Sequence, residues 1–205
     1  MQVAVWDSKT TAPRRVSQRL LEEKPHIAWN VFVDILAMSE YDQLSKKQRP
    51  AHLVFWYYSE VENGGHMQYF ENRGPARIRE TIAALELLGC SRHAKLLSRA
   101  VAQFRSKHRS RIRSVDEYVD TALQGEFDRF DSEYAKCRPT LEQALERYLG
   151  RNRSEFVVVG ETTDPEVLEH EAKMEEIVRH AMQAIGRGVG PGSSPKRDSK
   201  EGEPG

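Results

Sequence analysis

The triplet Asn63-Gly64-Gly65 constrains this chain more than any other feature. It falls between two stretches of helical apolar spacing, and its residues accept backbone angles that end an α-helix without a Cβ penalty. The spacing predicts a helix that starts near Pro50, runs through AHLVFWYYSEVE and stops at this corner. A short helix over 66–73 follows, closed by Gly74-Pro75. A chain folded this way must turn sharply in its first half and pack helices on both sides of the turn.

The rest reads as further helices. Residues 25–38 (PHIAWNVFVDILAM) put Pro25 at a first helical position, with Ile27, Trp29, Val31, Phe32, Ile35 and Leu36 on a broad apolar face. Trp29, Phe32, Phe55 and Trp56 are expected in the core. Residues 44–49 are a polar break. Over 75–88, Ile78, Ile82, Leu85 and Leu88 recur at helical spacing and Gly89 is the residue expected past the end. Ser91 is the expected N-cap of the next helix, lined by Ala94, Leu97, Val101 and Phe104. Phe127, Phe130 and Tyr134 form another stripe, and Leu141, Leu145 and Tyr148 a further one after Pro139. Asp164-Pro165 opens a charged helix to about Ile185. Only 156–159 is β-like, and one short run makes no sheet alone. The fold class is therefore all-α: a compact multi-helix single domain. Residues 1–24 form a lead-in, 25–160 the helical domain and 161–185 a charged helix. Residues 186–205 are a Gly/Pro/Ser-rich tail expected to be disordered.

Charge is balanced in total but not along the chain. Lys+Arg and Asp+Glu each number 31, so net charge excludes neither a nucleic acid nor a protein partner. Between Asn72 and Ser114 eleven Lys/Arg face only Glu80 and Glu86, a balance of +9. Residues 115–150 carry −5 and 151–185 a further −4. Arg105, Lys107, Arg109, Arg111 and Arg113 are the candidates for a basic patch that would take phosphates, but no aromatic interleaves them for base stacking. Asp116, Glu117, Asp120, Glu126, Asp128, Asp131 and Glu133 are the candidates for an acidic partner-binding face. The plainer reading comes first for both: a solvated basic loop or helix end facing the acidic segment, and a charged helix surface.

Little points to chemistry. Cys90 and Cys137 make no disulfide framework and have no metal-ligand spacing. Glu166/His170 and Glu176/His180 are i,i+4 pairs that need further ligands to hold a metal, so no metal or cofactor is expected. No nucleophile, base and orienter come together, so the chain is read as not an enzyme, with a small hydrolase or metalloenzyme as the residual alternative. An N-terminus without an apolar h-region and the absence of a long apolar run lead to a cytoplasmic setting without membrane contact. A homodimer stays open.

The segment 57–104 is where the sequence becomes specific. An acid, then Asn-Gly-Gly, then Gln-Tyr-Phe and Asn stand in order as Glu60, Asn63, Gly64, Gly65, Gln68, Tyr69, Phe70 and Asn72. Gln68 and Asn72 share a helix face, and their amides with Glu60 are expected to satisfy the backbone groups a Gly-Gly corner opens. These residues mark either a structural corner or a ligand contact. With ALELLG (84–89), FDRFDSEY (127–134) and LEQALERYLGRNRSEF (141–156), the chain resembles the bacterial DNA-mimic protein family, in the C-terminal domain of DNA-mimic protein nineteen, over roughly 25–156. The resemblance implies an all-helical fold and a regulator that captures a DNA-binding transcription factor by presenting carboxylates in place of phosphates. The family position after Gly-Gly is usually Phe and here is His66. The alternative reading is a nucleic-acid-binding accessory protein that uses residues 73–113.

Overall fold

The computed structural model describes residues 10–107 and 114–161, with Thr163, Pro165, 167–169 and Ala172 beyond them. The chain divides into two units, 1–161 and 162–205. The second is outside the described residues except for those scattered positions, and the expected charged helix, its Glu/His pairs and the tail lie there.

Within the first unit, β1 (Arg14–Ser17) and α1 (Gln18–Glu23) precede α2 (Ile27–Met38), and a 3-10 turn at Tyr41–Gln43 leads into α3 (Gln48–Arg73). Then come α4 (Ile78–Leu87), α5 (Ser91–Arg105), α6 (Val115–Leu123), α7 (Asp128–Tyr134), α8 (Leu141–Arg151) and β2 (Val157–Gly160). The all-α reading holds, since helices dominate and the sheet has two short strands among the described residues. No described helix is long and apolar enough to cross a membrane.

α3 is the hub, packed against α2, α4, α7 and α8. Its hydrogen bonding bridges the predicted stop, but Gly64 (φ −155°, ψ 27°) and Gly65 (φ 72°, ψ −174°) are not helical, so it consists of two arms meeting at a kink. The Gly65 angles lie in a region essentially reserved for glycine. Around this hub the apolar stripes close as the periodicity predicts. α8 buries Leu141, Ala144, Leu145, Tyr148 and Leu149, one face of a 3.6-residue period, and its Thr140 and Gln143 form a reciprocal capping box. Phe127, Phe130 and Tyr134 are all buried, while Phe104 stacks on Phe70 at 4.5 Å.

Several expectations need correction. The 1–24 lead-in holds β1 and α1, and β1 supplies the partner that the β-like run was thought to lack: Arg14–Ser17 pairs in parallel with Val157–Gly160. A strand only four residues long, with Val16 and Ser17 both buried, leaves almost no periodic signal. The polar break at 44–49 buries both Leu44 and Gln48. The Gln48 amide donates to the carbonyls of Glu155 (2.7 Å) and Thr11 (3.2 Å), and its oxygen accepts the Ser45 N–H (2.9 Å). It thus ties the start of α3 to segments over a hundred residues apart. Helix α2 starts at Ile27 rather than Pro25. Ser91 is the first helical residue of α5 and not its cap; its hydroxyl donates to Glu86. Phe32 is fully buried, but Trp29, Phe55 and Trp56 are only half-buried.

Candidate interaction surface

The motif residues converge on one carboxylate. Glu60, 6% exposed, accepts from Gln68 Nε2 at 2.9 Å and Asn72 Nδ2 at 2.7 Å on one oxygen, and from Arg73 Nε at 2.8 Å on the other. The amides therefore serve Glu60 rather than the open backbone of the corner, as had been expected. This is because the kink folds the second arm of α3 back along the first, so residues eight to thirteen positions apart meet side by side. A buried carboxylate needs charge-assisted donors, and this one has three. Tyr69 is buried and its hydroxyl reaches Thr81 Oγ1 at 3.3 Å. Gly64, Gly65 and Asn63 shape the turn itself. Glu60 is buried, Gln68 half-buried and Asn72 exposed, and the three form one hydrogen-bonded node beside the corner.

His66 is where the chain has its own solution. The ring is fully buried, with Nδ1 2.6 Å from Asp131 Oδ1 and Nε2 2.9 Å from the Tyr57 hydroxyl. The Asp–His–Tyr order looks like an orienter, a base and a nucleophile, a constellation sequence reading missed because its members lie far apart in the chain. Tyr57, however, is fully buried, and its hydroxyl is held protonated: burial, then the neighbouring Tyr134 and Tyr69, raise its pKa well above 10. A buried, protonated phenol that no substrate reaches is no nucleophile. The set satisfies polar groups within an aromatic cluster of Tyr57, His66, Tyr69, Phe70, Phe130 and Tyr134.

The seven acidic candidates separate into two groups. Asp131 is half-buried against His66. Glu133 is clamped by both terminal nitrogens of Arg99, at 2.7 and 2.9 Å, and that bidentate contact lowers its pKa. Glu126 lies 3.3 Å from Gln103 Nε2 and 3.8 Å from Lys107 Nζ. Asp116, Glu117 and Asp120 are exposed on α6, and Asp128 is exposed at the start of α7. Among the described residues Asp116, Asp120 and Asp128 have no ion-pair partner. On the same helix Val119 and Leu123 stand 46% and 80% exposed.

Among the described residues, four of the eight cations from Arg73 to Lys107 have a carboxylate partner. Arg73 meets Glu60, Arg77 meets Asp42 and Glu80, Arg99 meets Glu133 and Lys107 approaches Glu126. Arg105 is exposed, whereas Arg109, Arg111 and Arg113 lie outside the described residues. Cys90 and Cys137 are buried free thiols whose pKa burial pushes up, which makes them poor nucleophiles and ligands.

A family model described as DMP19-like protein matches residues 42–152. No curated protein and no solved structure matches the chain. The matched segment takes in the kink, the Glu60 node, α6, α7 and α8, and leaves out both strands of the small sheet.

Proposed function

The chain belongs to the DMP19-like protein family, and from that premise we propose that it acts by binding a protein partner, without catalysis, through an acidic face that a DNA-binding protein accepts in place of DNA. The observation that carries this reading is the contrast between paired and unpaired charge. Arg73, Arg77, Arg99 and Lys107, in the basic stretch, are matched by carboxylates within the fold. Asp116, Asp120 and Asp128 are exposed without an ion-pair partner among the described residues, beside the apolar Val119 and Leu123. A net charge of zero is then no obstacle, because what a partner meets is the local field and not the total. Exposed carboxylates a helical turn apart repel one another, and a cationic surface relieves that repulsion as it would on a phosphate backbone.

Two measurements test it. In the first, proteins of the source cell that are retained on a duplex-DNA column are passed over the immobilised chain and over its Asp116→Asn/Asp120→Asn/Asp128→Asn variant. The reading expects a partner held by the parent chain, released by added duplex DNA and missed by the variant. Retention unaffected by DNA and by the substitutions would sink the assignment. In the second, the purified chain is titrated with random duplex DNA at low and moderate salt. No binding is expected; tight binding that weakens steeply with salt would instead favour a nucleic-acid-binding accessory protein using 73–113.

A further inference from the structure

A cleft of about 350 Å³ opens between the end of α2, the two arms of α3 and the start of α4, and no acid of α6 or α7 lines it. Its size is that of a small-molecule site. Its walls carry Tyr41, His52, Trp56, Arg73, Arg77 and Thr81, and the exposed Glu40 is the single carboxylate among its lining residues.

Two guanidinium groups define its chemistry. Arg73 lies flat over the Trp56 ring, 3.4 Å from its centroid, and Arg77 lies over Tyr41 at 3.7 Å. Stacking fixes each guanidinium plane and leaves its N–H edge available for hydrogen bonding, a geometry suited to recognising an oxyanion through paired donors. Arg73 uses only Nε on Glu60, so its two terminal nitrogens have no protein acceptor among the described residues. Arg77 contacts Glu80 at 3.4 Å and Asp42 at 3.2 Å, and the Asp42 side chain is 86% exposed. Such surface pairs exchange readily for a better acceptor.

His52 also lines the cleft. Its Nδ1 is buried without a hydrogen bond of good geometry, and its ring approaches the Leu36 backbone. The ring packs edge-on against both Tyr41 and Trp56, at 5.8 and 6.3 Å. Burial chiefly disfavours its charged form, and both arginines act in the same direction. Both arginines already have carboxylate partners, so an anion seated between them is held by the N–H groups that those contacts leave over.

We propose that this cleft binds the oxyanion of a small molecule, a carboxylate or a phosphoryl group, with Arg73 and Arg77 as its paired donors and Trp56 and Tyr41 as the platforms that orient them. The full chain is titrated calorimetrically with citrate and, separately, with inorganic phosphate, at moderate salt. Saturable binding of one probe assigns the carboxylate or the phosphoryl source. Arg77→Gln, on the rim and expected to fold, should weaken that binding at least tenfold. Arg77→Lys keeps the charge without the planar fork and should give only partial recovery. Arg79→Gln, an exposed arginine that does not line the cleft, should leave the affinity unchanged. Failure of both probes to saturate, or equal losses in Arg77→Gln and Arg79→Gln, overturns the proposal.

Discussion

The carboxylate of Asp131 on α7 accepts both the backbone N–H of His66, at 2.9 Å, and its ring Nδ1, at 2.6 Å. The non-helical angles of Gly64 and Gly65 disturb the helical ladder just where His66 begins the second arm of α3. An acid from another helix supplies the acceptor that the kink makes necessary. With Nδ1–H given to Asp131, Nε2 is left to accept the Tyr57 hydroxyl. One carboxylate thus fixes the backbone of the kink, the orientation of a buried ring and, through it, a buried phenol.

Asp131→Ala is expected to destabilise the chain by about 2–3 kcal/mol, the cost of leaving a buried donor without its charged acceptor. Asp131→Asn should cost less, since both donors meet the same oxygen and an amide oxygen in its place still accepts them, without the charge. Urea unfolding followed by circular dichroism measures both. An Asp131→Ala variant within about 0.5 kcal/mol of the parent, in the range of ordinary surface substitutions, would show that the kink holds without this contact.

Gly65 gives a prediction of opposite sign to another glycine. At φ 72° a Cβ on residue 65 would sit 2.5 Å from Asp131 Oδ2, so Gly65→Ala meets a backbone penalty and displaces the carboxylate just described. A loss of about 2 kcal/mol or more is expected. Gly150, inside α8, has nothing within 4 Å of its ideal Cβ, and Gly150→Ala should stabilise by about 0.5–1 kcal/mol. Melting temperatures moving in the same direction for both would contradict the geometry.

How much of this was legible in the sequence follows from the range of each interaction. The helices and their buried faces are local, periodic properties, so Ala94, Leu97 and Val101, or Leu141, Leu145 and Tyr148, could be assigned from spacing alone. The kink was legible because glycine pairs have few other uses in the middle of an apolar helix. What the kink brings together was not. That Gln68, Asn72 and Arg73 turn onto Glu60 depends on the fold-back angle, which no residue type specifies. The pairing of β1 with β2 spans more than 140 residues and four-residue strands, too little periodicity to announce itself. Among the seven acids, composition could not distinguish Asp131 and Glu133, which have structural partners, from Asp116, Asp120 and Asp128, which have none among the described residues. That difference is set by His66 and Arg99 arriving from other helices.

Gln48 should be the most costly polar residue to remove outside the kink. It is fully buried, and it bonds to the chain at Thr11, Ser45 and Glu155. Gln48→Ala leaves two carbonyls and one N–H without that partner, at roughly 1–3 kcal/mol for each group that water does not reach. Hydrogen exchange should also quicken at Arg14–Ser17, since the amide clasps both the lead into β1 and the turn before β2. Unchanged protection in that strand would mean that the parallel pairing stands without the clasp.

The half-buried His52 and the buried His93 both contribute to the pH response. Burial lowers His52 to about 4, with Arg73 and then Arg77 acting in the same direction against the Leu36 backbone contact. Burial, helped by Arg138 and His66, lowers His93 to about 4. In the unfolded chain both take up a proton near pH 6.5, so between about pH 6.5 and 4 the unfolded state binds more protons than the folded one. Their contribution to stability is therefore complete above pH 6.5 and is lost as the pH falls toward 4, by up to about 1.4 kcal/mol per histidine per pH unit. Carboxylates also protonate at the lower end of this window, and substitution separates the two effects. In His52→Leu and His93→Leu the urea midpoint should fall less steeply between pH 6.5 and 5 than in the parent, whatever its starting value at pH 7. Parallel slopes in parent and variants would show that neither ring is kept neutral by the fold.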